Sequence, residues 1–107
     1  MDRTRGAPTL PAPKPRSTVL ALGGPIDRAD IPRLCDALQA VLEGGGVEIV
    51  VCDVGALDRP DAVTIDALAR LQLTARRLGC RLRLRHASPE LRELVAFMGL
   101  RRSLRFG

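Results

Sequence analysis

Two features of the sequence predict an α/β fold, a mostly parallel sheet with its helices mainly on one face. Short apolar runs of strand length alternate with longer stretches of helical period, in the order strand, helix, strand, helix, strand, helix. Such an order implies right-handed crossovers between parallel strands. The stretch Cys80–His86 alternates strictly, with Leu82 and Leu84 on one side and Arg81, Arg83 and Arg85 on the other. A strand of that kind has one wet face, which gathers the helices on the opposite face.

The elements follow in order. Thr18–Leu22 is an apolar strand, closed by Gly23-Gly24-Pro25, and Asp27 or Asp30 begins a helix. Ile31, Leu34, Cys35, Leu38, Val41 and Leu42 repeat at helical spacing, Pro32 is tolerated in the first turn, and Gly44-Gly45-Gly46 ends the run. The continuous run Ile49–Cys52 reads as a strand covered on both faces or flanked by other strands. Pro60 turns the chain and biases Arg59 to extended backbone. Asp61 is placed to cap the next helix by accepting from the N–H groups of Val63 and Thr64. On that helix Ile65, Leu68, Leu71, Ala75 and Leu78 share one face, and Gly79 ends it. Ser88-Pro89-Glu90 starts a third helix with Leu91, Leu94, Val95 and Met98 as its apolar face. Gly99 stops it, Leu100 packs back, and Ser103–Phe106 adds a short final strand.

At 107 residues the chain makes one domain, expected over 17–107, preceded by a disordered basic, Pro-rich arm over 1–16. Phe97 and Phe106 are the only aromatics, so the core is aliphatic and stacking platforms for bases are lacking. The formal charge of +5 admits a basic nucleic-acid-binding domain as an alternative of another class. Against it, the arginines are scattered along the chain rather than concentrated on one element, so no nucleic acid is expected. Cys35, Cys52 and Cys80 lack metal spacing, and His86 stands alone, so no zinc site is predicted. The free cysteines fit a reducing cytoplasm, and no stretch predicts insertion into a membrane.

An enzyme would need a nucleophile set, a paired-carboxylate site or a cofactor loop, and the sequence offers none. Asp53, Asp58 and Asp61 cluster near a strand's C-terminal end, where Mg²⁺ can bind, but no phosphate cradle accompanies them. The prediction is therefore no catalytic residue, no metal and no cofactor. A binding surface is legible instead on the second helix. Ala62, Ala69 and Leu73 lie at i, i+7 and i+11, away from the Ile65 face, as a shallow apolar strip bordered by Asp66, Arg70 and Arg77. With Asp61, Val63 and the Asp27 turn at the same end of the sheet, these residues form the predicted partner-binding site.

The order of parts and several local patterns resemble the STAS domain, named for sulphate transporters and anti-sigma factor antagonists. The resemblance covers roughly Val19 to Leu100. It rests on Gly24-Pro25-Ile26-Asp27 after the first strand, Val50-Val51-Cys52-Asp53-Val54 leading to Asp61, Ala87-Ser88-Pro89, and Met98-Gly99-Leu100. It implies a STAS-like fold and a non-catalytic regulatory module that binds a protein partner. The expected role is an anti-sigma factor antagonist that meets a serine-kinase-like anti-sigma factor. The alternative is a cytoplasmic STAS subunit of an ABC-type lipid transporter, meeting its ATPase complex. The resemblance also implies a regulatory Ser or Thr at the start of the second helix. This sequence departs there: Ala62, Val63 and Thr64 follow Asp61, and the acceptor position falls on Val63, which has no hydroxyl. Thr64, one residue on, turns about 100° toward the core and is expected to be structural rather than phosphorylated. Oligomeric state is not predicted.

Overall fold

The computed structural model describes residues 16–106. Strand β1 spans Ser17–Gly24, helix α1 Asp30–Glu43, β2 Ile49–Leu57, α2 Ala62–Arg77, β3 Arg81–Arg85, α3 Pro89–Phe97 and β4 Arg105–Phe106. Apart from Arg16, the arm expected over 1–16 lies outside the described residues. The Arg16 carbonyl accepts from the N–H groups of Glu48 (2.8 Å) and Ile49 (3.1 Å) and so joins the edge of the sheet.

The four strands lie in the order β1-β2-β3-β4 with every pairing parallel. Residues of one parity face the core: Leu22 from β1, Val50, Cys52 and Val54 from β2, and Leu82 and Leu84 from β3. They form one cluster with Ile31, Leu38 and Leu42 of α1, Ile65, Leu68, Leu71 and Ala75 of α2, and Leu91 and Val95 of α3. The helices therefore sit on a single face, as the alternation in β3 predicted. Val19, 55% exposed, and Arg81, Arg83 and Arg85 lie on the other face. That arrangement decides between the two readings of β2 in favour of the second. Strand β2 is flanked on both sides by strands, but only one of its faces is covered by helices, and Ile49 and Val51 on the open face are half-buried. Val51 lies in register between Val19 and Arg83, whose side chains screen it from water.

Local chemistry sets the helix ends. At α3 the Ser88 hydroxyl accepts from the Leu91 N–H (3.1 Å), with Pro89 in the first turn. Helices α2 and α3 end alike. Gly79 (φ 78°) and Gly99 (φ 73°) take the left-handed backbone that glycine tolerates best, and the next residue bonds back into the last turn. Cys80 N–H donates to the Ala75 carbonyl (2.8 Å), and Leu100 N–H to the Val95 carbonyl (3.0 Å), the six-residue closure of a Schellman stop. At α1 no side chain caps the first turn. Asp30 is the first helical residue, and its carboxylate accepts from the Asp27 N–H (2.9 Å).

Some face assignments shift. Val41, Leu78 and Met98, read as core-facing, are 49%, 39% and 43% exposed. Leu78 and Met98 are the last residues before a left-handed glycine, where the helical spacing no longer governs direction. Val41 lies at the edge of a stripe whose centre is Leu38 and Leu42. The final strand is shorter than Ser103–Phe106, yet Leu104 is fully buried, and Arg105 and Phe106 pair with Arg83 and Leu84.

Candidate partner-binding surface

The turn from β2 into α2 is held by both backbone geometry and hydrogen bonds. Arg59, expected to be extended, instead has φ 38°. The backbone before a proline is kept out of the right-handed helical region, and the left-handed region allows a tight reversal between Leu57 and Asp61. A non-glycine residue there stores strain of about 1–3 kcal/mol, a cost commonly met at functional turns. Asp61 then leaves the turn with extended backbone and caps α2. Its Oδ1 accepts from the Thr64 N–H (2.9 Å) and the Thr64 hydroxyl (3.1 Å), while Thr64 Oγ1 accepts from the Asp61 N–H (3.2 Å). This reciprocal box satisfies backbone donors at both ends. The Thr64 N–H first, and the Thr64 hydroxyl after it, hold the Asp61 carboxyl below the usual carboxylate range. Thr64 is 2% exposed, so its hydroxyl is enclosed within the box.

The Asp27 turn lies beside the Asp61 turn because β1 and β2 stay paired to their ends, past a one-residue register shift between Ala21 and Gly23. Gly24 pairs with Leu57, and the Asp58 N–H reaches the Gly24 carbonyl at 3.5 Å. Between the two turns is an open cleft of about 650 Å³ lined by Ile26, Asp27, Asp58, Asp61 and Thr64 among others. Arg28 crosses from the first turn to α2 and contacts Asp66 (3.3 Å), which also holds Arg70 (3.1 Å). Asp66, predicted only as a border of the strip, thus ties the two parts of the surface together. The sequence reading missed Arg28, because nothing local to it signals a partner thirty-eight residues away.

Along α2 the strip has the predicted arrangement. Ala62 is exposed, Ala69 is half-buried and Leu73 is 47% exposed, with Arg70 and Arg77 exposed at its border. Val63 is half-buried and packs against the core. Its role is therefore partly structural, although it lies at the expected acceptor position.

The three aspartates considered for Mg²⁺ do not converge. Asp58 and Asp61 line the cleft, whereas Asp53 belongs to the open face of the sheet. There its carboxylate accepts from the Gly55 N–H (3.0 Å), lies 3.2 Å from His86 Nδ1 and 3.6 Å from Arg85. The Gly55 N–H and then His86 hold Asp53 below its ordinary range. Among the described residues no group of His, Cys, Asp and Glu could hold a metal ion. Burial, with a smaller contribution from the Asp53 charge, pushes the Cys52 thiol up to about 12, so it stays protonated and unreactive. No helix among the described residues is long and apolar enough to cross a membrane.

This arrangement can now be set beside known proteins. The fold is similar to the unphosphorylated form of the anti-sigma factor antagonist SpoIIAA, with TM-score 0.67 and 17% identity, covering 92% of this chain and 86% of that one. It is also similar to the phosphorylated form of SpoIIAA, described as a Bacillus cell fate determinant. There the TM-score is 0.62 at 17% identity, with 92% and 89% of the two chains covered. No curated protein sequence matches the chain. A family model described as "Mlab, STAS domain" matches residues 11–105, nearly the whole chain. With one-sided helices on a parallel sheet and an Asp-capped second helix already in place, that match shows that the chain belongs to the STAS domain family, whose members are generally non-catalytic modules that bind protein partners.

Proposed function

We propose that this protein is a regulatory module that holds a protein partner through the solvent face of α2 and the turns before α1 and α2. Its binding is not released by phosphorylation. The observation that carries this reading is the start of α2. Val63 occupies the position where the family pattern expects a phosphoacceptor, and the neighbouring hydroxyl, that of Thr64, is buried and engaged in the capping box. A kinase would have to open the first turn of α2 to reach it, breaking the bonds that start the helix. A constitutive contact fits a subunit of a larger assembly better than a cycling antagonist. The MlaB-type family match supports the same branch, so a cytoplasmic STAS subunit of an ABC-type lipid transporter is the reading we favour. The second reading, an antagonist of a serine-kinase-like anti-sigma factor, draws on the likeness of fold to SpoIIAA.

Affinity capture of the full chain from native lysate, followed by mass spectrometry, separates the two. Recovery of a transporter ATPase supports the subunit role, and recovery of a kinase-fold protein supports the antagonist role. Capture of neither, at protein concentrations that saturate the resin, would remove the partner-binding reading. Incubation with lysate and ATP should leave the intact mass unchanged. Stoichiometric phosphate mapped to Thr64 would restore the antagonist cycle.

A further inference from the structure

The arginines that are scattered in sequence are not scattered in space. Arg81, Arg83 and Arg85 project from the open face of β3, and Arg105 of β4 lies in register opposite Arg83. Like charges facing each other across a strand pair destabilise the pairing, and residues two apart on one strand stand only about 7 Å apart. Asp53 offsets Arg85 at 3.6 Å, but among the described residues no carboxylate forms an ion pair with Arg81, Arg83 or Arg105. Two adjoining clefts share Arg83 and Arg105 in their walls. The larger, about 650 Å³, adds Arg76 from the end of α2, Arg81 and Arg102, and the smaller adds Arg101. Among the described residues no Asp or Glu lines either one. Strand β4 pairs only with Arg83 and Leu84, so the outer edge of β3 at Arg81 and Leu82 opens into the larger cleft.

Six arginines around a concave site concentrate positive potential, and guanidinium forks match phosphate oxygens in pairs. The cleft's volume falls in the range of small-molecule sites.

We infer that this end of the sheet binds a small molecule carrying at least two phosphate charges. The arginines grip the phosphate oxygens. A free sugar phosphate and the phosphate headgroup of an anionic lipid present the same chemistry. Binding does not depend on the protein partner proposed above.

The test titrates the full chain with fructose 1,6-bisphosphate by calorimetry at constant ionic strength. In parallel, the protein is sedimented with phosphatidylcholine vesicles with and without phosphatidic acid. Saturable binding with one site per chain, or sedimentation only with the phosphatidic acid vesicles, is the expected result, and whichever arm responds names the source. Arg83→Gln should weaken the interaction roughly tenfold, the scale of one charge-assisted hydrogen bond. Arg76→Gln, outside the sheet, should weaken it similarly and serves if the strand variant unfolds. Arg33→Gln removes the same charge from an exposed site on α1 and should leave binding little changed. Silence in both arms overturns the inference. So does equal weakening by Arg33→Gln, or tighter binding to a DNA duplex that displaces the sugar phosphate.

Discussion

Asp61 joins stability and site geometry in one carboxylate. It fixes the first turn of α2, closes the cleft beside Asp27 and keeps the Thr64 hydroxyl occupied. Because its folded-state ionisation lies below the ordinary carboxylate range, its contribution has a definite sign with pH. It is fully present above the unfolded value of about 3.9 and is lost as pH falls through the lower folded value. Asp61→Ala should therefore lower the urea midpoint at neutral pH, with the deficit shrinking as the pH drops below that range. Asp61→Asn, which can still accept from the Thr64 N–H, should keep most of the midpoint. An unchanged midpoint for the alanine variant would dismiss the capping role. This part of the site was legible in sequence because capping is local: Asp, then Thr three residues on, then an apolar period. The left-handed Arg59 was not, since proline restricts its predecessor without choosing between the extended and left-handed regions. The Arg28–Asp66 contact was hidden for a different reason, as it depends on two elements meeting in space.

Elements were legible in proportion to their own periodicity. Helices α1 and α2 and strand β3 show their buried faces in sequence, and the structure keeps those faces apart from Val41 and Leu78. Strand β4 has only two paired residues, and its order comes from Leu104, fully buried beneath it, and from Phe106, over which Arg92 stacks at 4.5 Å. Leu104→Ala should destabilise the domain by about 2–5 kcal/mol in denaturant melts. Phe97, the other aromatic, is 88% exposed at the end of α3, so Phe97→Ser should change stability by no more than about 0.5 kcal/mol. Reversal of that ranking would mean that the C-terminal segment does not dock as described. The helix ends were the weakest point of the sequence reading, because Leu78 and Met98 keep helical spacing while the chain is already leaving the helix.

Taken whole, the molecule has two different exposed regions. One is the C-terminal end of β1 and β2 with the adjoining face of α2, of mixed charge around an apolar strip. The other is the arginine-lined outer end of β3 and β4, where parity alone put Arg81, Arg83 and Arg85 on one side but only the fold added Arg76, Arg102 and Arg105. The proposed partner contact belongs to the first region, and Leu73 is its best probe, because at 47% exposure it can take a charge without disturbing Ile65, Leu68 or Leu71. The decisive measurement compares partner capture by the wild-type chain and Leu73→Asp, with thermal melts of both proteins alongside. The proposed surface requires loss of the captured partner with a nearly unchanged melting temperature. Equal capture by the two proteins at matched stability would contradict it.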